Sequence, residues 1–416
     1  LPVLYYTFEK MKTKSISVKP NTMALTIVLL VTSLGVSFGQ QRITLEEALQ
    51  LAEKNNPGLQ AESYRTDQAR ASVTGMSEPL RPVVYFESDQ SNADIYNRQL
   101  KVWGINYTLQ FPTVYGAYKG IQGQKVKMQQ YSFDLTKRRL EKEVTSAWYS
   151  IVYLQNLQAV YSMIDSLYSE LSVMVARKNE VGEATALENI STRAKKSEAT
   201  NELNKVREDL QEARVLMESL IGIEGPLLID STRLEKYSAP FQEAETHPLL
   251  SYYEEGMELS SAMSTLEKQR RLPDFQLGYF QSITSGPDVS LYHGFQVGIA
   301  LPFTMGYQRA RLMSSRIQGD IIRSEKENAS LMLSQRYSKA RSDLRKYEKV
   351  LTYYETEGEQ LSEELIRTAR ISYTGGEIDL IRYINLLNDA LRLRIDYLET
   401  LNQYNQALIE LQYLTL

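Results

Sequence analysis

The sequence contains no cysteine, and glycine and proline are scarce for a chain of 416 residues. The missing cysteine excludes disulfides and thiol catalysis, and it is compatible with an oxidising compartment such as the periplasm. The 21 glycines and 12 prolines occur in clusters. Because few helix breakers lie between these clusters, the sequence predicts long helices in one elongated body.

The sequence also lacks a basic excess and the motifs of an active site. Its 47 Lys and Arg against 51 Asp and Glu give a formal net charge of -4, so nucleic acid is not expected as a partner. No glycine-rich phosphate loop or Ser/His/Asp signature occurs at a sensible spacing. His247 and His293 have no Cys or paired carboxylate at ligand spacing. We therefore expect capping or surface roles for both histidines, with no bound metal, no cofactor and no enzyme activity.

The N-terminal region has the pattern of an export signal. Residues 23–39 form the one strongly apolar run, with lysines before it and polar residues from Gln40 onward. Residues 11–40 are therefore interpreted as a signal peptide that is cleaved before Gln40. At 17 residues the run also reaches the lower bound for a membrane-spanning helix, so a retained anchor is the competing interpretation.

The chain repeats itself at an offset of about 190 residues. Four landmarks recur in the same order: Asn56-Pro57-Gly58-Leu59 as His247-Pro248-Leu249-Leu250, Leu80-Arg81-Pro82 as Arg271-Leu272-Pro273, segment 111–116 as 301–306, and Val181-Gly182-Glu183 as Gly375-Gly376-Glu377. This pattern predicts a tandem duplication. The first unit spans 41–221, an irregular bridge spans 222–244, and the second unit spans 245–416.

Each unit predicts a helix followed by a β-hairpin. The first helix is expected over 44–77, where Thr44 and Glu47 fit a capping box, and its counterpart over 248–270. Alternation of apolar and polar residues predicts hairpins within 82–112 and 273–302. In the second strand, one face is expected to carry Ile105, Tyr107, Leu109 and Phe111, and the other Asn106, Thr108 and Gln110. Polar loops are expected at 91–97 and 285–290.

Each unit then predicts a long antiparallel helical hairpin. These hairpins are expected over 114–221 and 307–414, with turns at 179–184 and 373–378. In the first outgoing helix, apolar residues from Leu140 to Val175 recur at steps of three, four and seven, as in a coiled-coil seam. The seam of the return helix is expected to begin with Leu187, Ile190 and Ala194 and to continue through Leu203, Val206, Leu210, Ala213, Met217 and Leu220. The predicted fold is mainly α with a small β part.

The predicted strands have the length of membrane strands. About ten residues per strand cross a bilayer when the strand is tilted. In lipid, an open sheet edge leaves unpaired amides and carbonyls that cost several kcal/mol each. Four strands therefore require further copies of the chain to close their edges.

Residues 43–414 resemble the outer membrane factor family of TolC-like efflux channels. The resemblance is carried by Ile43-Thr44-Leu45-Glu46-Glu47-Ala48-Leu49 with Asn55-Asn56-Pro57, by the corners Phe111-Pro112 and Leu301-Pro302, and by the two Gly-Glu tips. It implies a homotrimer in outer-membrane lipid, with a twelve-stranded barrel and helices that extend as a tunnel, or α-barrel, into the periplasm. It also implies a periplasmic adaptor and an inner-membrane pump of the resistance-nodulation-division (RND) superfamily as partners.

The resemblance further implies roles for residues at the hairpin tips. Adaptor contacts are expected at Val181, Gly182, Glu183 and Leu187 and at Gly375, Gly376, Glu377 and Leu380. The glycines also suit a plain turn, because reversing two helices in a few residues requires positive φ. Family members narrow the tunnel near the tips with acidic side chains, and the matching positions are Glu188, Arg382 and Asn385. Since only Glu188 keeps the acid, the sequence predicts a mixed gate in which Glu188 pairs with Arg382.

Residues 1–10 resemble the C-terminal end of the last membrane helix of heavy-metal RND transporters. This resemblance implies either a pump-channel fusion, with 23–39 retained as a span, or a start assigned ahead of Met11. It favours metal cations as cargo, with small toxic compounds as the alternative. The competing functional interpretation is a periplasmic adaptor or coiled-coil scaffold without a pore, but such a protein does not require two pairs of membrane strands.

Overall fold

The computed structural model describes residues 42–74, 81–89, 100–223, 225, 228–229, 233–238, 247–284, 291–302 and 305–415. In chain order its elements are β1 (Arg42–Ile43), α1 (Leu45–Asn55), α2 (Pro57–Thr74), β2 (Val83–Asp89), β3 (Leu100–Leu109), α3 (Pro112–Glu180), α4 (Ala186–Ile221), β4 (Leu228–Ile229), α5 (Pro248–Gln269), β5 (Asp274–Thr284), β6 (Leu291–Ala300), α6 (Met305–Tyr353), a π-helical segment (Tyr354–Gly358), α7 (Glu359–Thr374) and α8 (Leu380–Thr415). The N-terminal segments predicted over 1–10 and 11–40, both hairpin loops and much of the bridge lie outside the described residues.

The first predicted helix is interrupted. The capping box at its start is confirmed, since Thr44 N donates to Glu47 Oε2 at 2.8 Å and Glu47 N donates to Thr44 Oγ1 at 3.2 Å. The single helix over 44–77 is wrong, because α1 ends at Asn55 and α2 begins at Pro57. Proline lacks an amide hydrogen and forces the preceding residue into an extended conformation, and Asn56 has φ -63° and ψ 119°.

Asn56 joins three helix ends. Its Nδ2 donates to the carbonyl oxygen of Leu220, near the end of α4, at 2.9 Å. Its Oδ1 accepts from Leu59 N, in the first turn of α2, at 3.0 Å. The C-cap of α4, Gly222, has φ 65°, and a Cβ there would lie 2.7 Å from the carbonyl oxygen of Asn55. The ends of α1, α2 and α4 are therefore packed closely around one amide side chain.

The four long strands form one antiparallel sheet in the order β2-β3-β5-β6. Both predicted hairpins are confirmed, because β2 pairs with β3 and β5 pairs with β6. β3 pairs with β5, so the two hairpins share a continuous ladder in which Ile105 lies opposite Tyr279. A separate two-stranded parallel sheet joins β1 to β4.

The first helical hairpin pairs α3 with α4. α3 has 69 residues, which corresponds to about 100 Å at 1.5 Å per residue. The predicted seam of α3 is confirmed, because Leu140, Val144, Ile151 and Val175 are buried. Among the described residues, no helix combines the length and the apolar character that a membrane span requires.

The start of the predicted α4 seam is wrong. Leu187 and Ile190 are 64% and 63% exposed, while Thr192 and Ala199 are buried. Ala199 belongs to the same core cluster as Tyr168 of α3. In its first turns α4 therefore packs through Thr192 and Ala199, and its first apolar residues lie on the exposed side. Farther along α4 the predicted Leu203, Val206, Leu210 and Met217 are buried as expected.

The second outgoing helix contains an irregularity that the sequence did not indicate. A π-helical segment separates α6 from α7, and its last residue, Gly358, is buried. A Cβ on Gly358 would lie 2.9 Å from the ring of Tyr354. Lys236 of the bridge donates to Glu355 at 2.9 Å. Asn405 of α8 also holds the bridge, because it donates to the carbonyl oxygen of Glu235 at 2.9 Å.

We predict that Asn56→Ala destabilises the folded chain by about 1–3 kcal/mol, because the Leu220 carbonyl and the Leu59 amide lose their partner in a part-buried joint. The unfolding midpoint of the purified full chain measures this change. Gln50→Ala, at an exposed position of α1, is the control and should leave the midpoint unchanged. Equal midpoints for Asn56→Ala and the parent would show that water replaces both bonds.

Candidate functional site

One face of the four-stranded sheet is apolar along most of its length. The registers place Val84, Ile105, Tyr279 and Phe295 in one row across all four strands. The neighbouring rows of this face carry Phe86, Trp103, Leu277, Val297, Phe275 and Ile299. Apart from the half-buried Tyr279, these side chains are exposed in the single chain, with Phe295 at 81% and Val297 at 77%. Exposed apolar surface of this extent marks a face that contacts lipid or another chain.

The opposite face carries small and polar residues. Asn106, Gln276 and Gln296 alternate with the apolar positions, as the sequence predicted for β3. Tyr85 lies across Gly104, where a Cβ would come within 2.3 Å of the tyrosine ring. Phe280 likewise lies across Gly294, where a Cβ would come within 2.1 Å of the phenylalanine ring. The glycines let aromatic rings lie flat on this face, an arrangement that favours a curved sheet.

The sheet has two strand edges with no partner among the described residues. β2 pairs only with β3, and β6 pairs only with β5. Because all four strands alternate in direction, β2 of one copy is antiparallel to β6 of a neighbouring copy. The chain can therefore extend its ladder by adding further copies without breaking the antiparallel pattern.

Both histidines have the predicted kinds of role. His247 is the N-cap of α5, and its Nδ1 accepts from Leu249 N at 3.2 Å. His293 is exposed on β6, where its Nδ1 lies 2.8 Å from the hydroxyl of Tyr279. Gln281 Nε2 donates to the same tyrosine hydroxyl at 3.0 Å. These three residues form a polar patch on the otherwise apolar face.

The tips of both helical hairpins are tight turns. Gly182 and Gly376 have φ values of 81° and 76°, which confirms the predicted need for glycine. Glu183 N donates to the carbonyl oxygen of Lys178 at 2.8 Å, and Glu377 N donates to that of Ser372 at 2.9 Å. The predicted tip residues Val181, Gly182, Glu183, Leu187, Gly375, Gly376 and Glu377 are all exposed.

Leu380 does not belong with these exposed residues. It is 2% exposed and lies in a core cluster with Tyr383 and Ile384. The two return helices begin with equivalent caps. Thr185 accepts from Glu188 N at the start of α4, and Asp379 accepts from Arg382 N at 2.7 Å at the start of α8. The caps have the same offset as the tip landmarks 181–183 and 375–377, and at this offset Leu187 matches Ile381 and not Leu380. Ile381 is 49% exposed.

The predicted constriction residues lie in the first turns of the two return helices. The Glu188 side chain completes a capping box, since its Oε2 accepts from Thr185 N at 2.7 Å and from Thr185 Oγ1 at 2.9 Å. Glu188 is half-buried, whereas Arg382 and Asn385 are exposed. Glu188 therefore has a structural role that the sequence resemblance did not indicate. A gate formed by Glu188 and Arg382 stays a prediction.

A tyrosine cluster that sequence reasoning missed supports the second tip. Tyr373 of α7 stacks on Tyr383 of α8 with centroids 4.8 Å apart, and Lys178 of α3 lies 5.7 Å from the Tyr373 ring. Tyr168 donates to Asn388 Oδ1 at 2.6 Å. Burial raises the pKa of Tyr168 to about 12, so its hydroxyl stays a donor. The position of Tyr168 in the predicted seam of α3 indicated burial, but only the fold shows that Asn388 is its partner.

Solved structures with the same fold are outer-membrane channels and a further membrane protein. A membrane protein from Pseudomonas aeruginosa aligns with a TM-score of 0.77 and 16% identity over 89% of this chain and 93% of that one. The CmeC outer membrane channel of Campylobacter jejuni aligns with a TM-score of 0.77 and 13% identity, over 89% of this chain and 85% of that one. The outer membrane protein VceC of Vibrio cholerae aligns with a TM-score of 0.75 and 12% identity, over 89% of this chain and 95% of that one. No family model matches the sequence, and no curated protein is similar to it.

We predict that the charges of Glu188 and Arg382 control ion flow at the tips. Glu188→Gln removes the charge but keeps the capping box, since glutamine serves at that position. In planar bilayers, the E188Q and R382Q channels should differ from the parent in conductance. Thr185→Ala is the control, because it weakens the helix start by about 1 kcal/mol and keeps the charge. Conductance unchanged in both charge variants would remove the gate and leave Glu188 a cap only.

Proposed function

We propose that the chain is an outer-membrane exit channel of a tripartite efflux system. In this proposal three copies form a homotrimer, and each copy contributes four strands to a twelve-stranded barrel. The helical hairpins of the three copies continue the barrel as a tunnel into the periplasm. Transport through the channel is passive, and the chain itself catalyses no reaction.

The observation that carries the proposal is the sheet with one apolar exposed face and two open edges. In water such a face would favour aggregation, whereas in a bilayer it is the expected lipid-facing surface. The open edges demand partners, because lipid offers no hydrogen bonds to unpaired backbone groups. Closing the ladder edge to edge satisfies both demands, and the polar glycine-rich face then lines the water-filled interior.

The helices support the same assembly. Apolar side chains remain exposed along the helical hairpins of a single chain, including Val215, Leu216 and Ile371 at 53%, 55% and 63%. Neighbouring copies in a trimer would cover such positions. The element order of helix, two strands and helical hairpin occurs twice, and we attribute it to the tandem duplication that the sequence predicts.

The partners and the cargo follow from the sequence resemblance. We propose that the exposed tips contact a periplasmic adaptor, with Ile381 in place of Leu380 in the second tip. An inner-membrane RND pump would deliver the cargo through the adaptor. The resemblance of residues 1–10 to heavy-metal transporters favours metal cations, and other small toxic compounds are the alternative.

The competing proposal of a periplasmic adaptor or scaffold explains fewer features. It accounts for the helical hairpins but gives no role to a row such as Val84, Ile105, Tyr279 and Phe295 on an exposed sheet face. Fractionation separates the two proposals. The channel should be extracted with detergent from the outer membrane as a trimer, whereas a scaffold should be recovered as a soluble or inner-membrane species.

We predict that a charge on the apolar face is far more harmful than the same charge on the opposite face. Val297→Lys places an ammonium in lipid, which costs about 2–4 kcal/mol near the bilayer midplane. The adjacent Gln296→Lys points to the interior and should be tolerated. The measured quantity is the amount of each variant that resists urea extraction from outer membranes. Equal losses for both variants would contradict the assignment of faces.

We also predict that β2 of one copy pairs with β6 of the next. The chain has no native cysteine, so Val84→Cys can be combined with a cysteine at each position of β6 in turn, starting at the level of Phe295. Because barrel closure staggers neighbouring strands, the reactive position need not be level with Val84. Oxidation of the matching pair should give a covalent trimer on a denaturing gel, and each single variant should stay monomeric. Absence of cross-linking at every β6 position would exclude this closure.

A further inference from the structure

A cavity of about 430 Å³ lies beside the start of α5, and α3, α6 and the end of α8 form its other walls. Its lining includes four cationic side chains, Arg138, Arg139, Lys142 and Arg336, and one carboxylate, Glu410. We propose that this cavity is a binding site for a polyvalent oxyanion, a small molecule that carries phosphate or carboxylate groups. The site is separate from the barrel and the tips, and the proposal does not depend on the transport function.

Arg138 carries the first step of the inference. Its Nη1 is buried and has no hydrogen-bond partner among the described residues. Leaving a guanidinium donor buried and unpaired is unfavourable. Burial lowers the pKa of Arg138, and the carboxylates of Asp134 and Glu141 on the same helix oppose this shift. Because Nη1 has no accessible surface, an oxyanion in the cavity would contact the remaining part of the Arg138 guanidinium group, which binds phosphate and carboxylate with particular strength.

One of the other three cations is neutralised within the lining, because Lys142 forms an ion pair with Glu410. Among the described residues, the ion pair of Arg139 is a loose contact of 3.9 Å from its Nε to Glu143. Arg336 is exposed and faces the cavity from α6, on the side opposite α3. The single carboxylate of the lining can pair with one of the four cations, so the cavity retains positive charge that attracts an anion.

Two helix ends meet at this cavity, and a comparison within the chain shows what is different here. α8 ends at Thr415 and α5 begins at Pro248, and both ends line the cavity. At the joint between α4 and α2, Asn56 bonds to both helices. At the joint between α8 and α5, His247 takes the place before the proline. Among the described residues, its side chain accepts a hydrogen bond from Leu249 N, within α5. Burial and the charge of Arg138 lower the pKa of His247, which favours its neutral form.

The start of α5 adds to the attraction. The N-terminus of this 22-residue helix is the positive end of its dipole. Its first amides already have acceptors, since Leu249 N donates to His247 Nδ1 and Leu250 N to the His247 carbonyl oxygen, so the helix contributes through its dipole and not through free donors. The volume of the cavity lies near the lower end of the range for small-molecule sites. It therefore suits a ligand with several anionic groups rather than a single chloride ion. Pyrophosphate and citrate are suitable probes of the phosphate and carboxylate classes.

The test is calorimetric titration of the detergent-solubilised full chain with pyrophosphate and, separately, with citrate. Sodium chloride at matched ionic strength controls for screening. The parent should bind at least one probe, and the probe that binds identifies the class of anion. Arg138→Gln should weaken binding about tenfold or more, the effect of losing one charge-assisted hydrogen bond. Arg336→Gln should also weaken binding, and it tests the site from an exposed position if Arg138→Gln fails to fold.

Arg341→Gln is the matched control, because Arg341 is also exposed on α6 and is not part of the lining. Its affinity for the probe should equal that of the parent. Absence of binding of both probes to the parent would overturn the proposal. The same weakening in all three variants would also overturn it, since the effect would then reflect total charge and not this cavity.

Discussion

Unpaired backbone groups at the sheet edges constrain this molecule more than any other feature. A sheet of four strands has two open edges, and a chain with one apolar sheet face cannot leave those edges in lipid. The alternating strand directions allow copies to join edge to edge. The backbone groups that are unpaired at the edges of one copy can then pair with those of its neighbours. In the proposed barrel, the strand number, the apolar rows and the glycines under Tyr85 and Phe280 are conditions for a curved, closed wall.

The helices satisfy their backbone hydrogen bonds without a neighbouring copy. A helix such as α3 satisfies its own backbone bonds, so its length is limited only by the side chains that hold it straight. Buried seam residues supply this support along α3, and hydrogen-bonded tyrosines such as Tyr168 supply it near the tips. Where the helices must start or stop, the chain uses capping side chains at Thr44, Asn56 and Thr185. The long helical body is therefore a set of packed rods, several of which have a specific polar contact at one end.

Much of the fold could be predicted because its signals are periodic. Alternation predicted the strand faces around Ile105, and steps of three and four predicted the seam of α3. The break at Asn56 was missed because apolar residues continue on both sides of it, although the following proline disfavours a continuous helix. The π segment was missed because it depends on how Tyr354 packs over Gly358, which is a tertiary contact without a local pattern.

The candidate site was harder to predict than the fold. The glycines of the tips carry a clear backbone signal, and their positions are as expected. Leu380 was misplaced by one residue, since both the tip landmarks and the caps at Thr185 and Asp379 match Leu187 with Ile381. The cavity around Arg138 has no sequence signature at all. Its residues come from distant segments and meet because α5 begins where α8 ends.

The π segment has a consequence for the shape of the whole hairpin. Each residue of an α-helix advances about 100° around the axis, so one extra residue in a turn reorients everything beyond it. α6 packs against α5 and α8, while α7 packs against α8. The widened turn thus allows the continuous rod of α6 and α7 to pack through one side before Tyr354 and through a different side after Gly358. Gain or loss of a single residue there would rotate the part of the rod that leads to the tip and change the side of α7 that packs against α8.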